Sequence, residues 1–124
     1  MKRPSIHCRA AALALAVLSF LAGAGRAELR LAVLLQPGCA YCLQWEREIA
    51  PAYPHTPEGQ AAPLWRLDIR DPLPGGVSLA RPGALTPSFV LLEDGVETGR
   101  IEGYPGAEFF WGLLGRLIAE ADDV

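Results

Sequence analysis

The sequence predicts an α/β fold: a central mixed β-sheet of about four strands, in the order β-α-β and then β-β-α, with flanking helices. Three observations support this prediction. A mostly apolar run, interrupted only by Arg30, occupies Leu29–Leu35. Apolar side chains then recur at helical spacing from Cys42 onwards. The dipeptide Asp94-Gly95, a strong signal for a two-residue hairpin, separates two further strand-like segments. Together they describe one small sheet with helices packed on it.

The first strand and the first helix are predicted between residues 29 and 54. Leu29–Leu35 (LRLAVLL) is followed by Gln36-Pro37-Gly38, which indicates a buried strand that ends in a turn. Spacings of three and four residues then predict a helix whose apolar face consists of Cys42, Trp45, Ile49 and Tyr53. Pro51 and Pro54 are expected to bend or end this helix.

The middle of the chain is predicted to hold a loop, a second strand and an irregular segment. His55–Pro63 is polar and holds Gly, Pro and Thr, which is typical of a loop. Leu64–Ile69 (LWRLDI) alternates and predicts a strand that a right-handed crossover would place parallel to the first. Arg70–Thr86 is rich in proline and glycine. Because a structureless loop of that length is unusual in a small domain, we expect a short helix near Val77–Arg81.

The last third is predicted to hold a hairpin and a helix. Ser88–Glu93 (SFVLLE) and Val96–Glu102 are expected to be antiparallel strands on either side of the Asp94-Gly95 turn. A second turn then leads into a helix with Pro105 at its first position. The predicted apolar face of this helix consists of Phe110, Leu113, Leu114, Leu117 and Ile118.

The N-terminal segment predicts export. Three basic residues and no acid lie in the first nine positions, and a charge-free stretch of small and apolar residues follows from Ala10 to Gly25. This pattern describes a secretory signal peptide, and the stretch is short for a membrane span of about 20 residues. We expect a signal peptide over 1–27 and an exported domain over 28–124, without a membrane span. Cleavage after Ala24, or an uncleaved N-terminal anchor, is the alternative.

The exported domain is acidic. Residues 28–124 hold seven arginines, no lysine and all fourteen acidic residues, a formal charge of −7. Such a charge argues against nucleic acid as a partner. Cys8 would leave with the signal peptide, so that Cys39 and Cys42 are the two cysteines of the domain, in an oxidising compartment.

The chemistry is expected at Cys39-Ala40-Tyr41-Cys42. A CxxC pair at the start of a helix, directly after a buried strand, brings two cysteines within disulfide reach. At the helix N-terminus, unpaired N–H groups and the helix dipole would stabilise the Cys39 thiolate and activate it as a nucleophile. Cys42 would lie one turn deeper, where it can resolve a mixed disulfide formed at Cys39.

Metal chemistry fits this CxxC pair less well than redox chemistry. A structural zinc site needs four ligands, and the exported domain adds only His55, which we expect at the surface. A copper carrier would use Met or His, and the domain has no Met. We therefore expect no metal and no cofactor besides a redox-active disulfide. Trp45 is expected in the core, whereas Arg66 or Asp68 on the second strand could approach the cysteines and take part in proton transfer.

The strand–CxxC–helix pattern, the order of elements and a Thr86-Pro87 pair directly before Ser88–Glu93 resemble thioredoxin-like proteins. The resemblance covers nearly the whole exported domain. It implies that the peptide bond before Pro87 is cis and that this proline packs against the cysteines. It also implies that Thr86 and Pro87, together with Ala40 and Tyr41, form the groove that receives a substrate; Tyr41 is expected to be largely exposed.

One departure from thioredoxins bears on the mechanism. Thioredoxins carry a buried acid on the first strand, and by this register the position is Val33 here. The usual proton relay beneath the second cysteine is therefore expected to be absent.

A closer resemblance is to the small periplasmic thioredoxin-like proteins of bacterial thiosulfate-oxidation (Sox) systems, the SoxS type. It rests on the segments Gln36–Cys39, Leu67–Ile69, Ala80–Pro82, Arg100–Gly106 and Phe109–Leu114. This resemblance implies a thiol-disulfide oxidoreductase that reduces or resolves a disulfide on an exported protein. The implied partners are a Sox sulfur-carrier protein and an upstream membrane electron donor. The alternative is a non-catalytic thioredoxin-fold module for binding or regulation.

Overall fold

The computed structural model describes residues 25–123. Strand β1 (Leu29–Leu35) leads into helix α1 (Ala40–Glu48); a 3₁₀ turn (Tyr53–His55) and a short helix α2 (Pro57–Ala61) then connect to β2 (Leu64–Asp68). After an irregular segment follow β3 (Ser88–Glu93), β4 (Val96–Glu102) and α3 (Ala107–Asp122). All four predicted strands are present, in the predicted order.

The four strands form one mixed sheet in the order β2-β1-β3-β4. Strand β1 pairs in parallel with β2 and antiparallel with β3, and β3 pairs antiparallel with β4. Asp94 and Gly95 make the β3–β4 turn with φ angles of 49° and 84°. Two successive residues with positive φ are what a two-residue type I′ hairpin requires. The predicted hairpin and the predicted α/β class are therefore confirmed.

Helices α1 and α3 cover one face of the sheet. Trp45 of α1 is fully buried, and its ring centroid lies 5.4 Å from that of Phe89 and 6.5 Å from that of Phe110. The predicted apolar face of α3 packs into the same core: Phe110, Leu114 and Ile118 are buried, and Leu113 and Leu117 are partly buried. Trp45 is thus a core residue, as predicted.

The opposite face of the sheet is covered by irregular chain rather than by one of the helices described above. Four buried side chains on this face lie beneath the start and middle of the segment that joins β2 to β3. The buried residues are Ala32, Leu34, Val90 and Leu92; packed against them and partly buried are Trp65 and Leu67 of β2 and Ile69, Val77 and Leu79 of the connecting segment. The connecting segment therefore has a structural function of its own.

The predicted short helix at Val77–Arg81 is wrong. Ser78 instead forms an isolated parallel bridge with Val96. Its N–H donates to the Gly95 carbonyl at 2.8 Å, and its carbonyl accepts the Glu97 N–H at 2.9 Å. Because these backbone groups bond to the hairpin, the segment stays extended.

A buried ion pair fastens the same segment to β4. The side chains of Arg100 and Glu97 are 5% and 4% exposed and are joined by two hydrogen bonds. Arg100 Nη2 also donates to the Arg81 carbonyl at 2.7 Å, and the Glu97 carboxylate accepts the Ala80 N–H at 2.7 Å. The hydrogen bond from Arg100 holds the pKa of Glu97 below its usual value. The pair thereby holds the chain that runs on to Pro87.

The predicted loop His55–Pro63 contains the short helix α2, so that prediction was wrong. The Thr56 side chain caps this helix by accepting the Gly59 N–H at 3.0 Å, and Pro57 occupies its first turn. Helix α1 ends at Glu48, and the predicted face residue Tyr53 is buried in the separate 3₁₀ turn.

Helix α3 begins at Ala107 rather than at Pro105. Its N-cap residue is Gly106, with a φ of 95°. Glycine adopts this conformation at little cost, whereas other residues rarely do. Pro105 therefore precedes the cap, and its predicted place at the first helical position was wrong.

The N-terminal prediction can be compared with the structure only at its end. Residues 1–24, with Cys8 and most of the predicted signal peptide, lie outside the described residues. Residues 25–28 are exposed and have no regular secondary structure. No helix within residues 25–123 is long and apolar enough to cross a membrane.

Candidate functional site

Cys39 is the N-cap residue of α1, at the end of the turn that follows β1. Gly38, with a φ of 78°, supplies the left-handed residue of this turn. Cys39 is extended (φ −83°, ψ 108°), and its Sγ accepts the Cys42 N–H at 3.1 Å. The sulfur therefore faces an N–H group of the first helical turn, an arrangement that favours a thiolate.

Cys39 and Cys42 form a disulfide, with their Cα atoms 5.2 Å apart. The two sulfurs differ in access: Cys39 is partly exposed, whereas Cys42 is only 5% exposed. An incoming disulfide on another protein can therefore reach Cys39 more readily than Cys42.

Thr86 and Pro87 lie beside the disulfide. The Thr86 carbonyl oxygen is 3.4 Å from Cys39 Sγ, although the two residues are 47 positions apart in the chain. The Thr86–Pro87 peptide bond is cis, the isomer that the family resemblance implies. Pro87 is buried, and its carbonyl accepts the Gly103 N–H at 2.8 Å, which ties it to the end of β4. The fold thus brings Thr86 and Pro87 to the cysteine pair.

Part of the surface around the disulfide carries exposed apolar side chains. Tyr41 between the cysteines is 63% exposed, Leu43 after them is 58% exposed, and Leu85 before Thr86 is 53% exposed. Ala40 is exposed as well. Exposed large apolar side chains next to a reactive group are typical of a surface that binds another protein.

A cavity of about 380 Å³ opens beside the two cysteines. Both sequence candidates for proton transfer, Arg66 and Asp68, line it, together with Glu46, which the sequence analysis did not single out. Arg66 donates two hydrogen bonds to Glu46, at 2.8 and 3.0 Å, and this pairing raises the pKa of Arg66. Glu46 follows Cys42 by four residues, so helical spacing was the signal that could have found it.

Asp68 is engaged elsewhere. Its carboxylate accepts three hydrogen bonds from the backbone and side chain of Arg70, the shortest at 2.6 Å. Hydrogen bonds from the Arg70 side chain and then from its backbone lower the pKa of Asp68 to about 2. Asp68 is therefore ionised and paired at any pH at which thiol exchange is fast.

Two further residues from the sequence analysis lie apart from catalysis. His55 is exposed in the 3₁₀ turn. Val33, at which the resemblance to thioredoxins led us to expect no acid, is fully buried on β1 and pairs with Arg66 of β2. Within residues 25–123, no group of three or more His, Cys, Asp or Glu side chains is arranged to hold a metal ion.

The position of Cys39 leads to a first prediction. In the reduced Cys42→Ser variant, Cys39 should be alkylated by iodoacetamide with a midpoint below pH 8.5, the approximate value of a free thiol, because the α1 N-terminus stabilises the thiolate. The rate is measured against pH in native buffer. The same variant unfolded in denaturant is the control and should return to about 8.5. Equal midpoints in both states would contradict a nucleophile activated by the helix.

Comparison with solved structures identifies similar proteins. One is the periplasmic thioredoxin SoxS from Paracoccus pantotrophus, whose crystal structure is of the reduced form. Its sequence is 61% identical to this chain, the match covers 76% of this chain and 99% of that chain, and the TM-score is 0.75. A thioredoxin from Malassezia sympodialis, 13% identical over 76% of this chain and 78% of that chain, has a TM-score of 0.52 and shares the fold. No protein-family model and no curated protein matches the chain.

The identity to the Paracoccus protein extends over nearly its full length, and the fold, the CxxC pair and its disulfide are those of thioredoxins. Proteins of this kind need no cofactor besides their redox disulfide. The chain therefore belongs to the thioredoxin-like family and is a thiol-disulfide oxidoreductase with Cys39 and Cys42 as its redox pair.

Proposed function

We propose that this chain is exported to the periplasm and there reduces or resolves a disulfide on another exported protein, with Cys39 as the attacking and Cys42 as the resolving cysteine. The observation that carries the proposal is the asymmetry of the pair: Cys39 is accessible at the helix N-terminus, whereas Cys42 is covered. A protein described as a periplasmic thioredoxin is 61% identical, and the basic and apolar residues 1–27 fit a cleaved signal peptide.

The groove for the partner consists of Thr86 and Pro87 on one side and Ala40 and Tyr41 on the other. The Thr86 carbonyl lies within 3.4 Å of the attacking sulfur, so a backbone segment bound along Thr86 would present its own cysteine to Cys39. The exposed ring of Tyr41 supplies apolar contact area next to that cysteine. A folded protein with an exposed cysteine in an extended segment fits this groove.

The partner that we propose is a Sox sulfur-carrier protein. The relative from Paracoccus is a SoxS protein, and the segments that resemble the SoxS type include the turn before Cys39 and the whole of Arg100–Gly106. Reduction of the partner leaves Cys39 and Cys42 oxidised as a disulfide. Each cycle therefore needs two electrons from an upstream donor, for which we propose a membrane protein.

Capture of the mixed disulfide tests this proposal. Cells that express Cys42→Ser should accumulate a covalent complex between Cys39 and the partner in the periplasmic fraction, because serine cannot complete the exchange. The band is read on a non-reducing gel, should vanish with dithiothreitol, and is identified by mass spectrometry. The same spectra should show a mature chain that begins near Glu28. Cys39→Ser is the matched control and should trap nothing.

The outcomes separate the proposal from its alternatives. Equal trapping by both variants would contradict the assigned roles. If neither Cys42→Ser nor Cys39→Ser trapped a partner and both variants kept the function of the wild type in the cell, a binding or regulatory module would be favoured. A chain that keeps residues 1–27 in the membrane fraction would contradict the cleaved signal peptide and favour the anchor.

A further inference from the structure

The cavity beside the disulfide is lined by charged side chains that have no role in the mechanism proposed so far. It is formed by the end of β1, the turn before Cys39, the exposed start of α1 and the end of β2. Leu35, Gln36, Pro37 and Gly38 contribute no charge to it. The charged side chains on its described lining are Glu46 from α1 and Arg66 and Asp68 from β2.

The resolving step needs a proton acceptor at this place. A thiol attacks a disulfide only as the thiolate, so Cys42 must lose its proton before it attacks the mixed disulfide at Cys39. Cys42 is only 5% exposed, and an apolar environment disfavours the charged form of a thiol. In thioredoxins a buried acid on the first strand takes part in this proton transfer, and the residue that we expect at that position here is Val33, which is buried.

Glu46 fits the requirement better than the other groups that face the cavity. It lies one helical turn after Cys42 on the same face of α1. Asp68 accepts three hydrogen bonds from Arg70, which lower its pKa to about 2, whereas Glu46 accepts two from Arg66 and lies on the same helix as Cys42. Arg66 is a cation, and its two hydrogen bonds hold the Glu46 carboxylate against β2. Glu46 and Cys42 both line the cavity of about 380 Å³, which is large enough to hold water.

We propose that Glu46 accepts the proton of Cys42, directly or through one water, while Arg66 acts as a positioning residue that holds the carboxylate. The Cys42 thiolate then attacks Cys39 Sγ, the bond between Cys39 and the partner breaks, and the partner leaves as a thiolate that takes up a proton. The protein gains the Cys39–Cys42 disulfide, and the partner is reduced by two electrons. This inference rests on the proposed roles of Cys39 and Cys42.

A two-step titration of the reduced protein separates the attack by Cys39 from the attack by Cys42. With one equivalent of dithiobis(nitrobenzoate), the first nitrothiobenzoate is released when Cys39 attacks and the second when Cys42 resolves the mixed disulfide. In Glu46→Gln the second phase should be about 100-fold slower at pH 6, at the lower end of the range for general base catalysis. The first phase should stay within about twofold, and the deficit in the second should shrink as pH rises, because hydroxide then removes the proton.

The charge of the variant makes the result decisive. Glu46→Gln leaves Arg66 as an unpaired cation beside Cys42, which favours the thiolate, so a purely electrostatic role would make the second phase faster. Arg66→Gln keeps the Glu46 carboxylate but removes the guanidinium that positions it. This variant should slow the second phase by less than Glu46→Gln does. Glu48→Gln is the matched control, because Glu48 lies on the same helix and bonds to Gln44 and Tyr104 instead. It should leave both phases unchanged.

Each outcome decides one statement. A second phase in Glu46→Gln that is unchanged, faster, or slow by the same factor at every pH would overturn the proton-acceptor role. An unchanged second phase in Arg66→Gln would overturn its positioning role. If Cys42→Ser still released a second nitrothiobenzoate at the wild-type rate, the proposed roles of the cysteines would fail instead.

Discussion

Replacing Cys39 with serine is expected to reduce the catalysed reduction of insulin by dithiothreitol to the uncatalysed rate. The sulfur of Cys39 is the accessible one, at the N-cap of α1 and 3.4 Å from the Thr86 carbonyl. A serine hydroxyl at this position does not ionise near neutral pH and cannot form a mixed disulfide. The measurement is the rate at which the insulin chains precipitate after their disulfides are reduced.

Two companion variants show whether the loss belongs to the sulfur. Arg47→Gln, at an exposed position of the same helix outside the cavity lining and the proposed groove, should keep the wild-type rate. Cys42→Ser should give a rate between those of the control variant and Cys39→Ser. Its mixed disulfide at Cys39 can be released by dithiothreitol in solution, but the variant lacks the Cys42 thiol that releases it within the protein. If Cys39→Ser kept most of the wild-type activity while Cys42→Ser lost it, the accessible sulfur would not be the attacking one.

The parts of the fold that follow from local patterns were predicted from the sequence. The centres of β1 (31–34) and β3 (89–92) are apolar and buried on both faces of the sheet, and strands buried in this way have continuous apolar sequences. The β3–β4 turn follows from Asp94-Gly95, since both positions need positive φ. The pairing of the two cysteines was also predictable from local geometry. A separation of three residues at the start of a helix places the two sulfurs within disulfide distance.

The predictions that were wrong depended on contacts between distant parts of the chain or on a cap that was overlooked. The segment around Ser78 is extended because its backbone bonds to the β3–β4 hairpin, which no local pattern reveals. Helix α2 did have a local signal, because Thr56 can cap a helix and Pro57 suits its first turn. The helix has only five residues, too few to show an apolar periodicity. Glu46 and Arg66 meet only because β2 lies beside α1, so their pairing needed the fold.

The second large effect is expected at Arg100, whose buried side chain holds the segment that leads to Pro87. Arg100→Met keeps most of the apolar stem but leaves the Glu97 carboxylate, 4% exposed, without its cation. Breaking a buried pair in this way costs about 3–5 kcal/mol of the free energy of unfolding at pH 7. The Arg81 carbonyl loses its donor in the same substitution, which adds to the cost. Urea denaturation followed by circular dichroism measures the difference.

The loss should depend on pH with a defined sign. In the wild type the hydrogen bond from Arg100 lowers the pKa of Glu97, so the pair stabilises the fold above about pH 4.5 and the contribution is lost as pH falls through the lowered value. In Arg100→Met the Glu97 side chain stays buried and loses its strongest partner, while the Ala80 N–H bond and the charge of Arg81 remain. The pKa of Glu97 therefore rises from its lowered value, and this variant loses less stability than the wild type as pH falls. The two unfolding curves should therefore approach each other towards pH 4.

Arg81→Met is the matched control for the Arg100 prediction. Arg81 lies on the fastened segment itself, but its side chain is 58% exposed and pairs with Glu102 at the surface. An exposed pair contributes only about 0–1 kcal/mol, so this variant should unfold within that range of the wild type. A cost for Arg100→Met no larger than that for Arg81→Met, or one that stays constant between pH 7 and pH 4, would contradict the prediction. The buried pair would then not be what fastens the segment before Pro87 to β4.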